Sequence, residues 1–481
     1  MRGDGPDGDG VTLSFTDLSF TPAPQRGACC RHPSAAAGPI LYGVSATVPP
    51  GSLFAVMGPS GSGKTSLLDL LAGRKSAAGG ARMGGSVRFN GAAVSQRSWR
   101  RLVAYCMQDD ALLPLLTVRE TLAYALALQG GPPPRARLGR GSKGGRATLT
   151  EPILLQREGS VGEGDDAVRR VDAVLDVLHL SGVQHQRVGD PLKRGISGGE
   201  RRRLAIGVEL VSQPRVLLVD EGTSGLDATH ALRVMRALKR LCVLGHTVVC
   251  TVHQPRANIF RLFDGLLLLH HGAPAYCGPA QEAIEWLQEA GHACPKFENP
   301  ADFMLDLLDE ASDEEPEADG GVAQRPPPGT AQRLVARCRE QQASPGELDG
   351  PGQVAPAAGA SLSRGSSWCG QTCTLIRRTA LVTARDPAIL YIRTAAALGV
   401  GGLVGGIFHG QSRDDSSAGN RINVILFVMC CFSLFCLPAI SSYCEERLIF
   451  VRERAAGRYS TGSYFVATMA VEIPLLALVV V

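Results

Sequence analysis

No C-x-x-C pair occurs in this chain of 481 residues, although it holds 14 cysteines. Cys369 and Cys373 have the wrong gap, and Cys29-Cys30 and Cys430-Cys431 are adjacent. That scatter argues against a thiolate metal site or a disulfide framework, and it reads as reduced cytosolic or membrane thiols. Charge of one sign is also scarce. The formal net charge is +4, too mild to argue for a nucleic-acid partner. The opening MRGDGPDGDG is polar and Gly-rich and does not read as a cleavable signal peptide. No internal repeat is visible. What remains is a globular balance of 44% hydrophobic and 20% charged residues, with length for two or three domains.

The average hides a shift along the chain. Up to about residue 300, short apolar runs alternate with helical patterns, as in an α/β domain. Residues 130–165 are rich in Gly, Pro and Arg and read as a mobile insertion. From Asp309 to about Arg364 the chain turns acidic, then rich in Pro, Gly, Ala and Gln, and reads as a flexible linker. After Arg377-Arg378 it becomes strongly apolar.

Four elements in the first part define a nucleotide site. Ser52 to Met57 is a buried-strand pattern that feeds Gly58-Pro59-Ser60-Gly61-Ser62-Gly63-Lys64-Thr65, continuing into Ser66. Glycines there let backbone N–H groups turn toward phosphates, and the helix expected over Lys64 to Ala72 adds a positive end. Lys64 should reach the β- and γ-phosphates of ATP, and Thr65 should hold Mg²⁺. Downstream stands Ser197-Gly198-Gly199-Glu200, at the positive end of a helix expected through Val211, which suits a γ-phosphate. The run Arg215 to Val219 then ends in Asp220 and Glu221. Asp220 should bind Mg²⁺ through water, and Glu221 should act as general base or position the water. Last, a strand over Thr247 to Val252 ends at His253, a candidate γ-phosphate contact. The loop holds phosphates from one side, and the Ser-Gly-Gly turn can reach them only from a second copy, so the site predicts an ATP-driven dimer.

Other candidates are less specific. Gln108 follows the strand pattern Val103 to Met107 and could touch Mg²⁺ and the attacking water; spacing alone leaves this open. Phe20, ending the strand pattern from Val11, is a candidate for stacking on adenine or an edge-strand core aromatic. Thr117 and Glu120 suit a capping box, Val171 to Leu180 an amphipathic helix, and Val87 to Gly91 a hairpin turn, after a Gly/Ala loop at 76–85.

These residues resemble the ATP-binding-cassette transporters, and more narrowly their G subfamily, the white/brown-type half-transporters. The resemblance is carried by Tyr105-Cys106-Met107-Gln108-Asp109-Asp110, by Leu116 to Leu122 and by Thr251-Val252-His253-Gln254-Pro255-Arg256. Further matches are Asn299-Pro300-Ala301-Asp302-Phe303 and Glu446 to Arg454 followed by Gly457 and Tyr459. It implies an α/β P-loop ATPase domain over residues 1–308, then an α-helical transmembrane domain over 365–481 that is incomplete. It strengthens Glu221, His253 and Gln108 as catalytic, and Thr65, Gln108 and Asp220 as the Mg²⁺ set. Gly222 departs from the proline the family usually has after the glutamate.

The apolar runs 388–408, 422–440 and 464–481 suit membrane spans, with a connecting helix at about 371–387. Arg-rich flanks place the nucleotide domain and 441–463 in the cytosol and 410–421 outside. The resemblance implies six spans, against two and most of a third here. It also implies a second subunit, homo- or heterodimeric, a bilayer, and export of a lipid-like, sterol-like or amphipathic substrate, at the plasma membrane rather than an internal one. The rival expectation is a truncated, transport-incompetent chain that binds ATP and pairs with a full-length partner. A soluble ATPase of the translation or repair kind would lack the apolar runs.

Overall fold

The computed structural model describes residues 10–23, 38–75, 81–131, 163–190, 195–309, 329–343, 367–407 and 437–480, with residues 409, 419, 422, 423, 425–427, 429 and 430. Most of the expected insertion at 130–165 and of the segment 309–364 lies outside them.

In chain order the elements are β1 (Leu13–Thr21), β2 (Leu41–Val48), β3 (Leu53–Met57), α1 (Lys64–Leu71), β4 (Arg82–Phe89), α2 (Gln96–Leu102), β5 (Val103–Cys106) and α3 (Val118–Leu128). There follow α4 (Glu163–Val177), α5 (Gly198–Leu210), β6 (Val216–Val219), α6 (Ala228–Val243), β7 (Thr247–Thr251), α7 (Ala257–Phe260), β8 (Gly265–His270) and β9 (Ala273–Pro279). The last are α8 (Ala283–Glu289), α9 (Pro300–Leu308), α10 (Thr330–Ala343), α11 (Trp368–Ala384), α12 (Pro387–Ile407), α13 (Leu437–Ala455) and α14 (Thr461–Val480).

The chain packs as two units. The first takes Met1–Asp110, Ser142–Gly182 and Ser197–Leu362. Its larger sheet has the order β5-β6-β7-β3-β8-β9. The first five strands run parallel and β9 returns antiparallel to β8. Every residue of β3, β6 and β7 is buried, as expected of strands covered on both faces. A smaller antiparallel sheet has the order β2-β1-β4. The parallel register sets Val56 beside Thr251 and Val219 beside Cys250. Three carboxyl ends therefore lie level, which is where open α/β sheets bind ligands.

Several expectations need correction here. β4 starts at Arg82, inside the expected 76–85 loop, because Met83 pairs with Phe20 and the strand extends the small sheet. Asn90 and Gly91 do turn at positive φ (49° and 79°), but they close only an isolated Phe89–Ala92 bridge. The amphipathic helix starts earlier than expected, at Glu163. The β8–β9 hairpin, turning on His271 and Gly272 at φ 45° and 79°, was not anticipated. The expected flexible linker contains α10. Ala331, Leu334 and Cys338 recur at helical spacing and are buried. Trp286 Nε1 donates to Gln341 Oε1 at 2.8 Å, and the Arg337 guanidinium lies 5.2 Å from the Trp286 ring. Polar composition hid a helix with one apolar edge.

The second unit takes Ala111–Gly141, Val183–Ile196 and Ser363–Val481. It therefore draws α3 away from the linear 1–308 boundary. The physical reason is two apolar clusters that α3 completes. Leu113, Leu116 and Tyr124 pack with Ile449, and Leu128 packs with Leu375, Tyr459 and Ala467. The expected capping box is present: Glu120 N donates to Thr117 Oγ1 and Thr117 N to Glu120 Oε2. The same carboxylate takes two bonds from Arg385, at 2.6 and 2.7 Å.

Arg378 Nη1 donates to both oxygens of Glu453, at 2.8 and 3.0 Å, and Tyr459 Oη adds a bond of 2.9 Å. All three residues are buried. Burial alone would push the Glu453 carboxyl up; Arg378, with Arg458 and Arg452, overcomes this and holds it down to about 2. A depressed carboxyl stabilises the folded chain above its unfolded pKa, and that contribution is lost as pH falls from about 4.5 toward 2. Arg378→Met should destabilise this unit by about 3–5 kcal/mol, because it leaves a buried carboxylate unpaired. Arg378→Met with Glu453→Met should cost much less, and thermal melts of the two variants check this.

Among the described residues, no helix is long and apolar enough to cross a membrane. The expected spans 388–408 and 464–481 fall on α12 and α14, while 422–440 lies partly outside the described residues.

Candidate nucleotide site

The loop after β3 is built for close approach. Gly58 takes φ 152°, and a Cβ there would stand 2.2 Å from the Leu269 carbonyl oxygen. Gly63 caps α1 at φ 96°, in the left-handed region. Ser62 Oγ is buried with no hydrogen-bond partner among the described residues. A buried hydroxyl without a partner in a loop of this sequence fits a phosphate oxygen. Lys64 Nζ meanwhile donates to the loop's own carbonyls, Gly58 O at 2.8 Å and Pro59 O at 2.7 Å. Burial lowers the Lys64 pKa, against the opposing pull of Glu221 and Asp220.

Asp220 stands one residue beyond β6 and gathers three hydroxyls. Thr65 Oγ1 donates to its Oδ1 at 3.3 Å, Thr251 Oγ1 to the same oxygen at 2.6 Å, and Tyr105 Oη to Oδ2 at 3.1 Å. Burial, then the Asp220 charge, raises the Tyr105 pKa, so the phenol stays a donor. Glu221 takes φ 46°, an uncommon conformation for this residue type. Its N–H donates to Thr251 Oγ1 at 2.7 Å, and its Oε2 accepts from Gln108 Nε2 at 2.7 Å. The structure thus brings Lys64, Thr65, Gln108, Asp220 and Glu221 into one connected cluster.

The remaining candidates stand as follows. Ser197 caps α5, and its hydroxyl and N–H both bond Glu200, a capping box the sequence reading missed. His253 is exposed, two residues past β7, and Gln254 beside it takes φ 43°. Pro59, Ser60 and Gly61 form the loop's turn, and Ser66 Oγ accepts from Lys75 Nζ at 2.9 Å. Phe20 is buried in the hydrophobic core of the small sheet, with Lys75 Nζ 4.7 Å from its ring. Its strand, β1, is the middle one rather than an edge. Thr251, Tyr105 and Arg202 were not anticipated as parts of the cluster. The signal was faint: a tyrosine in β5, the second of two threonines in β7, and one of three arginines in a row.

A hydroxyl, an amide oxygen and a carboxylate form a hard donor set, the kind Mg²⁺ takes when phosphates complete its shell. Thr65, Asp220 and Gln108 fit that ion.

The sequence matches the ABC transporter family over residues 41–224 and the ABC-2 type transporter family over 370–481. A second ABC-2 type family matches residues 253–326. ABC transporter G family member 22 of Dictyostelium discoideum is 32% identical over 470 residues, 96% of this chain and 68% of that protein. The chain belongs to the G family of ABC transporters. The rat broad substrate specificity ATP-binding cassette transporter ABCG2 is 30% identical over 473 residues, 95% of this chain and 67% of that protein. Family member 7 of Arabidopsis thaliana is 32% identical over 440 residues, and the chain spans only 56% of its length. The order of domains is that of the family: an α/β ATP-binding cassette first, a helical membrane-type domain after it.

Proposed function

We propose that this G-family chain is an ATP-hydrolysing half-transporter subunit. It pairs with a second subunit, identical or related, and drives export of a lipid, sterol or amphipathic small molecule, at the plasma membrane. The observation that carries the ATPase is the Gln108–Glu221 bond of 2.7 Å, set beside a phosphate loop whose Lys64, among the described residues, bonds the loop's own carbonyls. Lys64 would exchange those carbonyls for β- and γ-phosphate oxygens. Thr65, Asp220 and Gln108 would hold Mg²⁺, which neutralises charge on the same oxygens when bound. Glu221 would take a proton from the attacking water, and Gln108 and His253 would orient the water and the γ-phosphate. Ser197 and the N–H groups of Gly198 and Gly199, at the positive end of α5, would close the site from the second copy. Phe20 would stack adenine only by leaving its core position.

Support for the membrane part is chemical. Tyr391, Leu398, Leu403, Ile407, Phe465 and Ile473 are large apolar side chains exposed on α12 and α14. An apolar surface of that kind needs cover, and a bilayer supplies it. The test is Mg²⁺-dependent phosphate release by the chain in lipid nanodiscs, with its mass measured with and without ATP. Phosphate release with an ATP-dependent doubling of protein mass is expected. No release at saturating ATP would overturn the ATPase.

A further inference from the structure

We propose that Arg202 is a positioning residue of the ATPase centre, tying the segment that carries Gln108 to the chain that carries Asp220 and Glu221. Its Nη1 donates to Met107 O at 2.6 Å, to Gln108 O at 3.0 Å and to Asp110 Oδ1 at 2.8 Å. Its Nη2 donates to the Asp220 carbonyl. The side chain is buried.

The place of these bonds gives them their meaning. β5 and β6 run side by side as far as Cys106 and Val219, and Asp220 N still donates to Cys106 O at 2.9 Å. Met107 and Gln108 then leave the strand. Arg202 spans the two chains where the ladder stops. The Gln108 carboxamide meets the Glu221 carboxylate at 2.7 Å, and that distance depends on the spacing of the two main chains. A guanidinium is a flat fork whose two Nη groups donate in different directions from one rigid plane. A lysine ammonium could reach one chain or the other, but it would not fix both. Arg202 also sits on α5, the helix that Ser197 caps, so the Ser-Gly-Gly turn and the Gln108 segment are joined through one side chain.

Arg202 can position an ATPase centre only if the centre is one, so the role depends on the function proposed above. The experiment compares wild type with Arg202→Lys and Arg202→Met in nanodiscs. It reads kcat, the Mg²⁺ concentration for half-maximal rate, and binding of a fluorescent ATP analogue. A misplacement of about 1 Å in a catalytic group costs about 100-fold in rate, so Arg202→Met should lose about that much kcat and Arg202→Lys roughly 10-fold. Both should need several-fold more Mg²⁺, while analogue binding stays within about twofold of wild type. A purely structural role would reduce the folded fraction and scale the rate equally at every Mg²⁺ concentration. An unchanged Mg²⁺ requirement in the folded Lys variant therefore overturns the proposal, and that variant decides if the Met variant does not fold. Absence of hydrolysis by wild type would instead bring down the ATPase itself, and the role of Arg202 with it.

Discussion

Glu221→Gln is expected to lower steady ATP hydrolysis by about 10²–10⁴-fold, the usual span for removing a general base, while ATP binding is retained. The exchange is close to isosteric. Glutamine tolerates the φ of 46° that Glu221 adopts about as well as glutamate does. Its carbonyl oxygen can still accept from Gln108 Nε2, so the bond of 2.7 Å survives. Its backbone N–H keeps Thr251 Oγ1, which also holds Asp220. The ground-state cluster is therefore preserved, and what disappears is the ability to take a proton from water. A chain that binds nucleotide without turning it over should accumulate as the closed, paired form. Phosphate release and light scattering in the presence of ATP measure the two halves of the expectation. Retained turnover would remove Glu221 from the role of base.

The sequence showed the parts of this site that are contiguous. Gly58 to Thr65, Ser197 to Glu200, and Asp220-Glu221 are short runs whose chemistry is written in neighbouring residues. The strands that end at them were legible because both faces are buried and the runs are apolar throughout. What joins the parts was not legible. Thr251 bonds Asp220 across 31 positions, Tyr105 across 115, and Arg202 bonds Met107 across 95. Nothing local marks Arg202 apart from Arg201 or Arg203; only the turn of α5 points it at the Gln108 segment. The same limit applies to larger pieces. α10 sits in a polar, Pro-rich stretch where mean composition outweighs a single apolar edge. α3 follows Gln108 closely in sequence, yet its apolar faces are completed by residues from the last third of the chain. Phe20 shows a different limit. An aromatic at the end of a strand satisfies both a stacking role and a core role, and only the sheet order shows that its strand is central.

Lys64→Ala should weaken ATP binding itself, and this separates it from Glu221→Gln. In the loop the Lys64 ammonium holds Gly58 O and Pro59 O, so this charge ties the loop together. Binding exchanges those neutral carbonyls for phosphate oxygens, which carry full negative charge. Hydrogen bonds to charged groups contribute about 1.5–3 kcal/mol, and each 1.4 kcal/mol is tenfold in affinity, so the loss should be about 10- to 150-fold. The neighbouring carboxylates sharpen the effect. Asp220 and Glu221 lie close enough to act on the Lys64 charge. Without that cation their negative charge would weigh more heavily on the incoming phosphates and disfavour binding further. Hydrolysis should fall as well, but through occupancy first, so a large excess of ATP should restore part of it. A titration with a fluorescent ATP analogue, set beside the nucleotide-free melting temperature, measures the expectation. Binding within twofold of wild type would show that the loop from Gly58 to Thr65 does not grip phosphate through Lys64.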